Sequence, residues 1–501
     1  MGLSYAYIIV LVASFGSLTF GFSNSVIGSV LGLDSFNTYF DLTTTGAGAK
    51  KTNAITGAAS GLFFGGSAIG ALVHIWLANY AGRVRAAQVT ALLCIIAGAI
   101  QAGSVHIAMF LAGRFLAGIG VGLCVTLVPV YQSEIAPSAT RGKLVGSHGT
   151  LIVSGYALAA WTGYGCFFAS NGTFQWRFTL AAQCLPPLCL LLCTSFMPES
   201  PRWLIDQGKF EQALAITRRL HTESSQPNTE DDVLAEFAQM RTQIEQDDKF
   251  SQTAGKLSIF RVPSMRKRLL FGCLVMFWSQ STGVLVVNNY QVMLYNGLGL
   301  YKSVPLLLYA VYLSFAAFMN FVSAMIMDRV GRVRLMSFGL FVCAFCLGME
   351  ALMVAKFAGT DNTVGNGFGV FFLFLFVGFY ATTLDATVYV YAAEIFPTHL
   401  RAQGMGLSIV AQSLTSLLHT QIAPSAFSAI GWKYYLVFVF VPLSGVFVIW
   451  RWFPETKGLS LEEIAALFGD KVVVGVSEGY AEDQVIDAKV ERDDIKGDGI
   501  A

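Results

Sequence analysis

The chain has 501 residues, 54% of them hydrophobic and only 13% charged, where a soluble protein carries roughly 25%. Its net charge of +1 excludes the basic surface of a nucleic-acid binder. With 50 glycines and 40 phenylalanines, this is the composition of an all-α polytopic protein whose main partner is the lipid bilayer.

The uncharged run at the start of the chain continues to Gly32 with no basic residues ahead of it. That is too long for a signal-peptide core and predicts a retained first helix. Residue 6 is Ala where myristoylation wants Ser or Thr. Apolar segments of spanning length follow, near 5–31, 54–78, 86–104, 108–132, 144–168 and 178–197. After a polar interval, six more lie near 269–294, 304–327, 335–355, 367–393, 404–427 and 434–453. The second, sixth and eleventh are interrupted by Gly or Pro, which neighbouring helices can tolerate. The predicted division is a first six-helix half over 1–197, a cytoplasmic link over 198–267, a second half over 268–456 and a tail over 457–501.

Basic residues set the orientation. The loops holding Arg83, Arg85, Arg141 and Lys143, then Arg329, Arg332, Arg334 and Arg401, are richer than those holding Lys50, Lys51, Arg177, Lys302, Lys356 and Lys433. Both termini are therefore expected in the cytoplasm, with the sequon at Asn171 outside. The interval carries helix-like pieces at 210–220 and 230–245, and the acidic tail after Phe468 reads as disordered. The nine cysteines sit in or beside apolar runs. Cys343 and Cys346 form a CxxC with no second pair, so no metal site and no cofactor is expected.

The fourth segment carries Gly118, Gly120 and Gly122, small residues that let membrane helices approach closely. No strand precedes them, so GIGVG is helix packing and not a dinucleotide turn. The segment ends in a charged exit, and that exit is repeated. Residues 82–85 read GRVR, and so do 331–334. YQSEIAPSATR at 131–141 returns as YAAEIFPTHLR at 391–401, and PES at 198–200 returns as PET at 454–456. A repeat of this order predicts two parallel halves with a site at the midplane between them.

The motifs resemble those of the sugar porter family of the major facilitator superfamily, in its fungal branch. They are GR at 82–83, R-x(3)-G-x-G from Arg114, PVYxSEIAPxxxRG from Pro129, PESPRWL at 198–204, DRxGR at 328–332, EIFPxxxR at 394–401 and PETKGLSLEEI at 454–464. The resemblance implies a plasma-membrane transporter, expected to act as a monomer, that carries a monosaccharide, disaccharide or polyol by alternating access. Proton symport and facilitated diffusion both remain open. Arg83, Glu134, Arg141 and Glu199, with their counterparts Arg332, Glu394, Arg401 and Glu455, then form a cytoplasmic gate of charge-assisted pairs. The alternative is a set of ordinary solvated loops worth about 0–1 kcal/mol per pair.

The expected pocket departs from the family. Of its Gln-Gln pair in the seventh helix, Gln280 remains and the other is Ser279; the following Asn is Leu285. Asn289 replaces the first of two tyrosines, Tyr290 matches the second, and Asn288 lies beside them. Gly149 replaces a sugar-binding Gln in the fifth helix, next to His148, with Tyr156 about two turns on. Tyr389 stands for a Trp and Gln412 for an Asn. These side chains are either substrate contacts or interhelical hydrogen-bonding groups. A sugar acid or quinate-like solute therefore stays an alternative substrate, and a non-transporting nutrient sensor an alternative function. No Ser–His–Asp spacing, metal cluster or P-loop supports an enzyme.

Proton-coupled relatives place an Asp in the first helix opposite the Arg of the fourth. Here that position is Ser23, while Arg114 remains. Asp385 lies instead within the tenth helix, nine residues before Glu394. A carboxylate near the midplane usually marks an ion or substrate path. Proton coupling, direct substrate binding and a hydrogen bond to Thr383 or Thr387 are its possible roles.

Overall fold

The computed structural model describes residues 5–43, 46–135, 141–222, 230–254, 258–360, 362–459, 463–464 and 467–469. Within these, the side chains of 6, 47, 141–147, 221–222, 231–232, 246–254, 258, 324, 328 and 398–399 are excluded. The described residues are helical, with no β-strand among them.

The first half is built from α1 (Tyr5–Leu31), α2 (Ala49–Ala81), α3 (Arg83–Ala102), α4 (Ile107–Ile135), α5 (Arg141–Phe167) and α6 (Gly172–Ala182 with Leu185–Cys193). The second contains α7 (Pro263–Ser281 with Val284–Gly297), α8 (Val304–Val330), α9 (Arg332–Phe357), α10 (Thr363–Tyr380 with Ala386–Ile395), α11 (Thr398–Ile430) and α12 (Val437–Trp452). Among the described residues, ten stretches are long and apolar enough to cross a membrane. The longest, Leu400–Trp452, breaks at Gly431 into α11 and α12. The remaining expected segment is α5, which interleaves His148, Thr150, Ser154 and Tyr156 with its apolar residues. The interval folds as Pro201–Asp206, Phe210–Thr222, Glu230–Ala254 and Ser258–Arg261, matching the two helices expected there. The tail beyond 469 lies outside the described residues.

Two of the expected interruptions are absent: α2 and α11 run unbroken, α11 through Pro424. α6 does break, just ahead of Pro186 and Pro187. Two breaks fall elsewhere. α7 stops at Gly283, whose φ of 77° is a left-handed conformation open to glycine at little cost. α10 carries a π-helical turn over Ala381–Asp385. Thr382 and Thr383 there donate back to the carbonyls of Gly378 and Phe379 at 2.7 and 2.6 Å, drawing backbone acceptors away from regular pairing.

Small residues set the packing. A Cβ at Gly118 would overlap the carbonyl oxygen of Phe63, and one at Gly122 that of Ser67, so α2 and α4 touch backbone to backbone. Large apolar side chains such as Trp76, Leu92, Phe341, Phe345, Phe447 and Trp450 face outward, as a lipid-facing surface requires. Between the halves, Trp161 Nε1 on α5 donates to Ser314 Oγ on α8 at 2.9 Å, and Ser67 on α2 meets Ser413 on α11 at 3.2 Å.

The repeated GRVR has a backbone explanation. The N–H groups of Arg83 and Val84 donate to the Glu199 carboxylate at 2.8 and 3.2 Å, so an acid after α6 caps the start of α3. Glu455, after α12, takes the N–H groups of Arg332 and Val333 at 2.8 and 3.0 Å in the same way. A carboxylate suits the unpaired donors and positive end of a helix N-terminus. Gly82 and Gly331, with φ of 87° and 105°, precede these starts, and a Cβ at either would collide with its capping carboxylate.

Candidate substrate cavity and its gates

A cavity of about 1250 Å³ lies between the halves. Its inner part is lined by Gln280 and Asn288 of α7, Asp385 and Tyr389 of α10, Gln412 of α11, and His148 and Tyr156 of α5. From there it runs to the helix ends at Ser133, Arg332, Glu394 and Arg401, where it opens. Six of the eight expected substrate contacts therefore line the cavity, together with Asp385 of the expected coupling residues.

Asn289 and Tyr290 are not on the lining in this state. Asn289 is fully buried, and its amide has no hydrogen-bond partner among the described residues. Tyr290 closes the opposite end: its hydroxyl lies 2.8 Å from the Thr420 carbonyl of α11 and 3.4 Å from the Thr56 carbonyl of α2. Tyr309 of α8 adds a second closure, with its hydroxyl 3.0 Å from Ser25 O on α1 and 3.0 Å from Asn288 Oδ1. A glycine surface completes it, since Gly57 and Gly61 of α2 lie against Gln421 of α11 with no room for a Cβ.

Three contacts went unrecognised in the sequence. Asn320 of α8 donates to Asp385 Oδ2 at 2.6 Å and accepts from Thr150 Oγ1 of α5 at 3.3 Å. Asp385 is therefore held by an amide from another helix, and not by Thr383 or Thr387. Tyr380 meets Ser279 at 3.0 Å, and Ser416 donates to Gln280 Oε1 at 3.4 Å. A lone Asn in an apolar helix gives no sign of its partner 65 residues away. Only the crossing of α8 and α10 reveals it. Gln412 Nε2 donates to Tyr389 Oη at 2.6 Å, and His148 Nδ1 lies 2.7 Å from Ser17 Oγ.

Arg114 and Ser23 do come together, but through the backbone. The Arg114 guanidinium is fully buried, donates to Ser23 O at 2.8 Å and Ala59 O at 3.0 Å, and sits 4.3 Å over the Phe63 ring. Its Nη2 has no partner among the described residues. A buried cation left with an unspent donor is what loss of an acidic neighbour produces.

At the open end, Arg83 pairs with Glu134 at 2.8 Å and Arg332 with Glu394 at 2.9 Å. Each pair joins helices of one half. Thr456 Oγ1 also donates to Glu394 at 2.6 Å. Arg401 lines the mouth, and the Arg141 side chain lies outside the described residues.

If Gln280 meets the substrate, Gln280→Ala should raise the KM roughly two- to twelve-fold, the effect of one hydrogen bond of about 0.5–1.5 kcal/mol. An unchanged KM in an uptake assay would remove Gln280 from the site.

Two six-helix halves around a shared cavity, closed at one end and open at the other, define a membrane transporter of the major facilitator fold. The chain belongs to the sugar (and other) transporter family, whose model matches residues 9–468. It is 32% identical to the MFS-type transporter criB of Aspergillus cristatus, covering 94% of this chain and 95% of that protein. It is 27% identical to the high-affinity glucose transporter of Kluyveromyces lactis, covering 93% and 85%. Among solved structures it resembles the proton:xylose symporter XylE of E. coli bound to 6-bromo-6-deoxy-D-glucose. That likeness has a TM-score of 0.77 and 25% identity, over 93% of this chain and 99% of that one.

Proposed function

We propose that the protein carries a hydroxylated solute of the sugar or polyol class across the plasma membrane by rocking its two halves about the central cavity. The observation that carries this reading is the cavity itself, lined by both halves and closed at only one end. Both termini and the mouth then lie on the cytoplasmic side, so the state described is inward-facing. A single chain contains the whole pathway, and a monomer suffices.

Asp385 takes the proton-binding role. It stands in the cavity wall, hydrogen-bonded to the Asn320 amide, where taking up a proton removes a charge that is costly in the membrane. Arg114 positions α1 and α2 by holding the carbonyls of Ser23 and Ala59. The Arg83–Glu134 and Arg332–Glu394 pairs act as the gate, trading partners within each half for partners across the halves when the mouth closes. Solute counterflow in proteoliposomes tests the reading, with D-glucose and D-glucitol as probes. Saturable exchange that is lost on Gln280→Ala with Gln412→Ala supports it; absence of exchange for every sugar and polyol tried contradicts it.

A further inference from the structure

The cavity wall has two chemically distinct sides. One is an apolar cluster that crosses between the halves, joining Phe20, Phe64 and Ile152 of the first half to Val284, Leu285 and Ile409 of the second. The other carries Thr150 and Asp385, joined behind the lining through Asn320 in a polar chain that also bridges the halves. A free sugar presents hydroxyls on every side and asks for a polar partner at each, since an unpaired buried hydroxyl is costly. The wall meets only part of that demand, from side chains such as His148, Tyr156 and Ser413. Gln280, Asn288 and Gln412 each have an atom engaged with a neighbouring hydroxyl, and the apolar cluster has none to give.

Resting on the transport reading above, we infer that the preferred solute is amphipathic: an apolar or aromatic body against the Phe20–Phe64–Leu285 cluster, with a hydroxyl-bearing end against Gln280 and Gln412. Apolar surface buried on the cluster adds affinity in proportion to its area, which a bare hexose cannot match. The site also gains specificity from position. Both sides of the wall are shared between the halves, so an amphipathic solute spans the surfaces that separate when the halves rock.

The test uses the full-length protein and three probes: D-glucose, methyl β-D-glucopyranoside and 4-nitrophenyl β-D-glucopyranoside. Binding is read by thermal shift and exchange by counterflow in proteoliposomes. The aryl glucoside should bind at least about tenfold more tightly than the methyl glucoside or glucose. Leu285→Asn should shrink that ratio to about threefold or less, by placing an amide in the cluster. Val284→Thr should move it in the same direction and serves if Leu285→Asn does not fold. If glucose is exchanged and the aryl group adds nothing, the inference fails and the transport reading stands. If no probe binds or exchanges, both fail.

Discussion

Asp385→Asn is expected to abolish concentrative uptake while leaving solute exchange within about threefold of wild type. The amide keeps the shape of the side chain and can still pair with Asn320, which holds Asp385 at 2.6 Å. It cannot take up or release a proton, so the variant loses the coupling and keeps the pathway. The expected result is that wild-type uptake rises as the external pH falls and collapses with a protonophore, while Asp385→Asn ignores both. The measurement is initial uptake against external pH in intact cells, beside counterflow in proteoliposomes. Wild-type uptake that is indifferent to pH and protonophore would make the protein a facilitator and remove Asp385 from coupling. Loss of exchange as well would assign Asp385 to solute binding.

The second large effect separates two acids that the motifs place side by side. Glu455→Ala leaves the Arg332 and Val333 N–H groups at the start of α9 without their carboxylate. Hydrogen bonds to a charged group are worth about 1.5–3 kcal/mol each, and two partly exposed ones together about 2–4 kcal/mol. The expected result is a marked fall in folded protein on size-exclusion chromatography, with Glu199→Ala behaving alike through Arg83 and Val84. Glu394→Gln keeps one acceptor oxygen for Arg332, and its amide N–H can donate to the Thr456 hydroxyl where the carboxylate accepted from it, so the main loss is the charge of the pair. Because the amide still pairs with Arg332, expression is expected to stay near normal while net uptake slows. Equal loss of folded protein in Glu394→Gln would make that pair structural and leave the gate without support.

Much of this was legible in the sequence because membrane helices declare themselves by length and hydropathy. The exits of α4 and α10, the GRVR repeat and the PES and PET endings all fall where their spacing placed them. The interruptions were harder. Gly283 and the turn at Ala381–Asp385 lie inside continuous spans, and nothing in hydropathy separates a broken helix from a whole one. Placement of the polar residues divides in the same way. Gln280 and Gln412 line the cavity, whereas Tyr290, a few residues on, faces the closed end because α7 restarts after Gly283 with a new direction. Asn320 was missed for want of a local pattern: its meaning comes from Asp385 on another helix.

The central claim is that one cavity opens alternately to either side, and cysteine accessibility tests it most directly. Ala402 lines the exposed mouth, and Thr56 is buried at the closed end beneath Tyr290. In a background without the nine native cysteines, Ala402→Cys and Thr56→Cys are each labelled with a membrane-impermeant thiol reagent from the side they face. The account predicts reciprocity: any solute or variant that lowers labelling at 402 raises it at 56, and the reverse. Labelling that rises or falls at both positions together, or never changes at Thr56→Cys, would contradict it.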